Sequence, residues 1–466
     1  MRIKKESFKN VAEKILTKVK NYFLNFKMNM TNTRIIALGF ALVILIGALL
    51  LCLPFSSADF EWTNPIDSLF TATTATCVTG LVTVDTGEHW SMFGQIVILV
   101  MVQIGGIGFM TLITLLSFFI KGKVSLHERR LLMQSAGAMH MGGVMATFRQ
   151  ILLGTAVIEG LGAFVLYRRF LPLYGERALW YAIFHSISMF CNAGLDLFTP
   201  EGGSSLTTFA DDPVVMFTIM FLIVMGGLGF LVWNDLLKSL FRFRKMQLHT
   251  KLVLCITGVL LLGGALLFYL TERNASMAHL SEPQKLMASL FQSVTTRTAG
   301  AYTVDQSSLS DSGSIVSMVL MFIGGSPGST AGGVKTTTMA VFLFSAIRLA
   351  RNQETVVVFK RRIDDRIVRQ AGSVVCVYLG VVLAGSFLIC ALEPAGMREV
   401  MYEVVSAIAT VGLSMNLTPT LGWLSKLILI ILMFAGRLGG LSIFMAIGER
   451  DETTLLERPV EKILIG

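Results

Sequence analysis

Between Gly324 and Thr338 the chain reads GGSPGSTAGGVKTTT, a stretch whose residue types and spacing fit two kinds of chemistry. Gly324–Gly328 has the G-x-S-x-G spacing of a nucleophile elbow, with Ser326 as the nucleophile. Gly328–Thr336, GSTAGGVKT, misses the phosphate-cradling pattern G-x-x-x-x-G-K-[ST] by one inserted valine, Val334. Both patterns need a soluble strand before them and a soluble helix after. The flanks supply neither, because Ile315–Ile323 and Met339–Ile347 are apolar runs. No histidine–acid pair accompanies Ser326 either. What remains is a small-residue segment interrupting an apolar run, suited to compactness and mobility rather than bond-making. A helix broken by glycines for packing is the plainer alternative.

Other glycines recur in a pattern. Four semi-polar stretches end alike, at Thr76-Cys77-Val78-Thr79-Gly80-Leu81, Cys191-Asn192-Ala193-Gly194-Leu195, Arg297-Thr298-Ala299-Gly300 and Ala409-Thr410-Val411-Gly412-Leu413. Their glycines fall roughly 110 residues apart, so internal repetition governs the reading of every local motif. A second echo follows each: Gly105-Gly106-Ile107-Gly108, Gly226-Gly227-Leu228-Gly229, Gly324-Gly325-Ser326-Pro327 and Gly436-Arg437-Leu438-Gly439. Four extended backbones brought together can replace an ion's hydration shell with carbonyls. Glycine belongs there because a Cβ would obstruct the backbone conformations that turn the carbonyls to one axis.

The elements that must position those glycines follow from composition. The chain has 466 residues, 53% of them hydrophobic and only 15% charged, with a mean hydropathy of +0.68. Soluble domains carry about 25% charged residues, so this is a membrane protein composition. Ile35–Leu53, Met92–Ile120, Leu252–Leu270 and Val374–Leu392 are apolar runs on the scale of the ~20 residues a spanning helix needs. The stretches before the glycines, Pro65–Thr76, Leu179–Phe190, Pro283–Thr296 and Met397–Ala409, are too short and polar to span. They fit re-entrant helices, which are tolerated only where they line a cavity or are buried in protein. The fold expected is an all-α polytopic membrane protein. It comprises four repeats of outer helix, re-entrant pore helix, filter loop and inner helix around one pore, with eight spanning helices in all. The C-terminal ends of the pore helices point partial negative charge toward the cavity and favour a cation.

The net charge of +9 is not a nucleic-acid footprint. Most Lys and Arg cluster in five segments, Arg2–Arg34, Lys121–Arg149, Lys238–Lys251, Arg348–Arg369 and Arg450–Lys462. Asp59, Glu61, Asp67, Asp85 and Glu88 lie in a stretch with no Lys or Arg. That asymmetry predicts both termini in the cytoplasm. No cleavable signal peptide is expected, since the first apolar run ends in Leu-Pro-Phe. Residues 1–33 are basic, and Phe8, Val11, Ile15, Val19, Tyr22 and Phe26 make one apolar helix face. The reading is an interfacial helix, with a basic tail as the alternative. The boundaries expected are pore repeats at 34–149, 150–247, 248–366 and 367–448, an intramembrane loop at 324–338 inside the third, and a tail at 449–466. Six scattered cysteines, without C-x-x-C spacing, read as small hydrophobes rather than metal or disulfide residues.

With those motifs in order, T-C-V-T-G-L, N-A-G-L, T-R-T-A-G, T-V-G-L-S and G-G-S-P-G-S-T-A-G-G-V-K-T, the sequence resembles the Trk/Ktr/HKT superfamily of potassium transporters over about residues 34–450. It is most similar to the bacterial Ktr membrane subunit (KtrB-type), since only a basic segment precedes the first span. Ala301 departs from the family pattern, which has an aromatic residue after the third filter glycine. The resemblance implies potassium uptake through a channel-like pore with a four-repeat carbonyl filter, gated by an intramembrane loop and a cytosolic subunit. It also implies a homodimer with one pore per chain and a separate nucleotide-binding regulatory ring (KtrA-type). The filter so implied comprises Val78, Thr79, Gly80, Asn192, Ala193, Gly194, Thr298, Ala299, Gly300, Thr410, Val411 and Gly412. The gate comprises Gly324, Gly325, Ser326, Gly328, Ser329, Thr330, Gly332, Gly333, Lys335 and Arg437. Lys335 reads equally as an interfacial residue.

Arg437 stands where the other repeats have Gly106, Gly227 and Gly325. An arginine there needs polar groups or water to face. It reads as an electrostatic barrier beside the loop, whose Ser and Thr hydroxyls are its expected partners, or as a helix-to-helix bond. Potassium is transported substrate, no covalent cofactor is implied, and sodium dependence stays open. A midplane symporter is the competing class, but symporter repeats usually come as two halves. No catalytic constellation supports an enzyme.

Overall fold

Turn and cap chemistry divides the chain into helices of two lengths. The computed structural model describes residues 32–108, 144–198 and 205–439. Four times, a long apolar helix leads through a short helix and a glycine turn into another apolar helix. The first set is α1 (Asn32–Cys52), α2 (Pro65–Cys77) and α3 (Met92–Ile107). The second is α4 (Val144–Tyr174), α5 (Ala178–Cys191), α6 (Pro213–Leu228) and α7 (Phe230–Ser239). The third is α8 (Leu248–Glu272), α9 (Glu282–Thr295), α10 (Asp311–Phe322) and α11 (Thr336–Ala350). The fourth is α12 (Asp365–Leu392), α13 (Met397–Ala409) and α14 (Trp423–Leu438). A two-residue hairpin, β1 (Val357–Val358) against β2 (Arg361–Arg362), joins the third set to the fourth.

The long helices face outward. Arg34–Cys52, Leu248–Glu272 and Asp365–Leu392 are each long and apolar enough to cross a membrane, as is the joined Arg149–Cys191 segment. Leu49, Leu262 and Phe387 lie exposed on them, as lipid-facing side chains do. The short helices are the interior, with Ser68–Cys77 of α2 buried throughout except Leu69. They start sharply. Asn64 accepts the Ile66 N–H at 2.9 Å just before Pro65, and Ser281 and Gln284 form a capping box around Pro283.

The inner helices depart from straight spans. α3, α6 and α14 each stop at a glycine with nearly the same backbone: Gly108 (φ 95, ψ 131), Gly229 (φ 95, ψ 140) and Gly439 (φ 85, ψ 117). The Met92–Ile120 run is therefore not one helix, because it breaks after Ile107. α7 leaves α6 at 94°, and the 324–338 loop separates α10 from α11. The expected spanning runs of the inner helices are thus interrupted at these glycines as well as at the 324–338 loop. The sequence showed apolar length but not the positive-φ breaks inside it. The expected helix at 1–33 and tail at 449–466 lie outside the described residues, apart from the first residues of α1.

Polar contacts close the four sets into a ring. The start of each short helix is tied to the start of the preceding inner helix. Trp180 donates to Gln95 Oε1 at 2.8 Å, Gln284 donates to Asp211, and Arg398 pairs with Asp311 at 2.8 Å. Lys426 of α14 pairs with Asp67 of α2 at 2.9 Å, largely buried, which joins the fourth set to the first.

Candidate functional site

All four short helices end in a comparable turn. φ is positive at Val78 and Gly80 (57 and 101), Asn192 and Gly194 (61 and 65), Thr298 and Gly300 (69 and 77), and Thr410 and Gly412 (52 and 94). The residues between them, Thr79, Ala193, Ala299 and Val411, have no positive φ. Alternating the sign of φ rotates successive peptide planes so that their carbonyls share a side. For β-branched Val78, Thr298 and Thr410 this conformation costs about 1–3 kcal/mol each, so the surroundings must enforce it.

They do so by engaging the N–H groups. Thr79 N–H donates to Thr74 O at 2.9 Å, Ala193 N–H to Ser188 O at 2.8 Å, and Val411 N–H to Ser406 O at 2.8 Å. The glycine N–H groups of Gly80 and Gly412 donate to the hydroxyls of Thr74 (2.9 Å) and Ser406 (3.0 Å). With the donors bound behind, the carbonyls are left to face forward. The third turn is one residue tighter, with Ala299 N–H on Thr295 O at 2.9 Å.

The four glycines then touch in a ring. A Cβ built on Gly80 would lie 2.6 Å from Ala193 O, on Gly194 2.7 Å from Ala299 O, and on Gly300 2.6 Å from Val411 O. On Gly412 it would strike Thr79 O. Each glycine thus packs on the carbonyl before the next glycine, in the order first, second, third, fourth and back to first. Any side chain would displace a carbonyl of the ring. Val78, Thr79, Ala193, Ala299, Thr410 and Val411 are all buried, and the Asn192 amide lies 3.3 Å from the Thr298 hydroxyl.

On one side of the ring is a cavity of about 220 Å³ lined by the four glycines, Asp85 and Asp196, among others. Asp196 lies in the chain after the second turn, outside the spanning segments. Burial, and then the neighbouring charge of Asp85, push its carboxyl up to about 6. Two acids at the mouth of a carbonyl ring favour cations.

The 324–338 segment lies beneath the turns. Gly324 N–H donates to Val334 O at 2.9 Å, and Ile323 pairs with Val334 as a short bridge. The valine that spoils the phosphate-loop pattern therefore closes the base of this loop. Its far side is fastened to the broken inner helix. Ser326 N–H donates to Gly227 O at 3.0 Å, Thr330 N–H to Gly226 O at 3.3 Å, and Phe230 N–H to Gly328 O at 2.9 Å. Ser329 and Gly325 complete the inner turns. Gly332 packs on the Thr410 hydroxyl, and Gly333 would place a Cβ 3.2 Å from Ala409 O. Lys335 is folded back on its own loop, donating to Ala331 O at 2.6 Å.

Arg437 is half-buried among carbonyls. It donates to Thr330 O of the loop and Gly105 O of α3, and to Gly106 O at 3.4 Å. The expected hydroxyl partners are corrected: Thr330 Oγ1 instead donates to Phe190 O at 3.2 Å. A guanidinium fork suits fixed backbone acceptors that already have two free lone pairs.

Sequence reasoning missed several supporting residues. Thr74, Ser188 and Ser406 each stand six residues before a turn glycine, a signal that alignment of the repeats would have exposed. Glu159 was also missed. It is buried on α4, receives the Gln103 amide at 3.2 and 3.1 Å, and lies beside the Cys191 thiol. No group of metal-ligating side chains occurs among the described residues.

Comparison with known proteins gives the family and the fold. The family described as TrkH, cation transport protein, matches residues 4–452. The chain is 38% identical to the potassium/sodium uptake protein NtpJ of Enterococcus hirae, over 94% of this chain and 98% of that one. It is 39% identical to the Ktr system potassium uptake protein B of Bacillus subtilis, over 91% and 95%. Its fold is similar to the crystal structure of the potassium transporter TrkH from Vibrio parahaemolyticus. The TM-score is 0.70 and the identity 17%, over 90% of this chain and 85% of that one. The chain belongs to the TrkH family of cation transport proteins.

Proposed function

We propose that this protein takes up potassium through a channel-like pore whose filter is the ring of backbone carbonyls at Thr79, Ala193, Ala299 and Val411. The observation that carries the reading is the cyclic packing of Gly80, Gly194, Gly300 and Gly412, each against the carbonyl preceding the next. Such a ring exchanges water oxygens for carbonyl oxygens at little reorganisation cost. Asp85 and Asp196 gather cations at its outer mouth, and the ends of α2, α5, α9 and α13 add partial negative charge from behind. Repeats at 34–149, 150–247, 248–366 and 367–448 surround the pore.

Gly324–Thr338 is the gate. It lies below the ring with Arg437 fastened to it, so a permeating cation meets a bulky loop and a positive charge. The hairpin bearing Arg361 and Arg362 follows α11 and faces solvent, a place where a cytosolic nucleotide-binding ring (KtrA-type) can act on the loop. The protein works as a homodimer in the plasma membrane with both termini cytoplasmic. Its relatives are named for potassium and for potassium/sodium uptake, so sodium is the second cation to measure.

The test is downhill flux in liposomes holding the purified protein, with potassium, rubidium and sodium exchanged in turn. Potassium and rubidium should move at comparable rates and sodium much more slowly. Flux that requires a proton gradient, or that favours sodium, would overturn the filter reading.

A further inference from the structure

The hydrogen bonds of Glu403 go neither to the four turn glycines nor to the 324–338 loop. Glu403 sits mid-way along α13 and is 1% exposed. Its two oxygens receive the chain that leaves the fourth turn. Oε1 accepts the Ser414 hydroxyl at 2.5 Å, the Met415 N–H at 3.1 Å and the Leu417 N–H at 3.4 Å. Oε2 accepts the Thr418 hydroxyl at 2.7 Å. A carboxylate in this setting is costly unless its lone pairs are filled, and here four donors from one five-residue stretch fill them.

The matching positions of the other short helices do related work with different chemistry. Glu403 stands nine residues before Gly412, and His185 nine before Gly194. His185 is buried, with Nδ1 on Tyr181 O at 2.6 Å, and its Nε2 accepts the Leu197 N–H at 3.2 Å. Its ring stacks on Phe198 at 4.0 Å. The third helix, whose turn is one residue tighter, has Gln292 eight residues before Gly300. Gln292 donates to Gln306 Oε1 at 2.6 Å, and Gln306 also takes the Tyr402 hydroxyl at 2.8 Å. Gln306 in turn donates to Val304 O at 2.6 Å. The first helix has Thr71 there, and its outgoing chain is turned instead by Asp85, which accepts Gly87 and Glu88 N–H at 2.8 and 2.9 Å.

We propose that Glu403, His185 and Gln292 are positioning residues. Each clamps the chain just outside a turn glycine and thereby fixes the width of the carbonyl ring from its outer edge. The inference rests on the filter reading above. The N–H groups of Gly80 and Gly412 are held from behind by Thr74 and Ser406, and the chain that leaves Gly412 is held on the outer side by Glu403. Because the clamps differ in chemistry, the repeats should differ in how tightly each carbonyl is held. Glu403, with its four donors, should matter most.

The experiment compares Glu403→Val and Glu403→Gln in the full chain in liposomes, reading the potassium-to-sodium flux ratio, with Gly412→Ser as control. The valine variant should lose potassium discrimination by about ten-fold, the scale of a charge-assisted hydrogen bond. The glutamine variant should recover most of it, because its amide oxygen still receives Ser414 and Met415 while the Thr418 hydroxyl rotates to accept. A merely structural role would lower the amount of folded protein without moving the ratio. His185→Phe provides a second reading if the valine variant does not fold, since it keeps the ring stacked on Phe198 and removes the acceptor of Leu197 N–H. A folded Glu403→Val or His185→Phe protein with the wild-type ratio would overturn the clamp, as would a glutamine variant as impaired as valine. If Gly412→Ser also leaves the ratio unchanged, the filter reading itself fails and the clamp falls with it.

Discussion

Arg437 near the end of α14 directs its guanidinium at backbone carbonyls of the loop and of α3. Its sequence position, an arginine amid an apolar run where its counterparts are glycine, announced a polar environment. Its partners were not announced, because backbone carbonyls freed by a helix break leave no mark in a sequence. The guanidinium ties α14 to the loop through Thr330 O and to α3 through Gly105 O and Gly106 O. Two effects are therefore joined in it, a positive charge below the ring and a clasp on the loop. Arg437→Ala removes both and should raise inward potassium flux. A like charge at an effective dielectric near 20 repels by about 2 kcal/mol at about 8 Å, roughly thirty-fold in rate. Arg437→Lys keeps the charge and loses the fork, so its flux should stay near the low wild-type value. Potassium-to-sodium discrimination should be unchanged in both, because the ring is built from other residues. Tracer uptake in a strain lacking potassium transport gives both quantities. Equal flux in the alanine variant and the wild type would remove Arg437 from the gate.

The short helices were the most legible elements. Their ends were readable to within about two residues, since Pro65, Pro283 and the turn glycines punctuate them and their polarity rules out a span. The inner helices were the least legible. Gly108, Gly229 and Gly439 all adopt positive φ, yet glycine inside an apolar run reads equally as a packing residue. Only the repeat of the same glycine in three inner helices hints at a break. The 324–338 loop is the largest of these interruptions among the described residues, and it is sewn to α6 and α7 by three backbone hydrogen bonds. Loop and broken helix should therefore move as one unit. Deleting Ser329–Gly332 removes Thr330, the residue that links the loop to α5, α6 and Arg437. The shortened protein should conduct potassium faster, by on the order of ten-fold if the barrier falls by the ~1.4 kcal/mol that corresponds to that factor. It should also respond less to the proposed cytosolic ring subunit. Flux assays with and without that partner, on protein shown to be folded, check this. Lower flux from folded protein would make the loop a scaffold.

At the scale of the whole molecule, four sets of helices close on themselves through Gln95, Asp211, Asp311 and the Lys426–Asp67 pair. Repetition of the glycine turns leads to the expectation of four equivalent units, because each unit needs the same backbone conformation at its turn. It could not foretell the closing contacts, which use a tryptophan, a glutamine, an arginine and a lysine at corresponding places. Chemistry that differs from repeat to repeat leaves no periodic signal. The same holds for the outer mouth, where Asp85 and Asp196 come from different sets and meet only in the folded chain. What the ring of helices secures is the ring of carbonyls, and that is the central claim. Its most direct test is anomalous scattering from crystals of the protein grown in rubidium or thallium salts. A peak is predicted on the axis enclosed by the carbonyls of Thr79, Ala193, Ala299 and Val411, and it should be lost in Gly300→Ser. A peak lodged between helices away from that axis, with none at the carbonyls, would contradict the account.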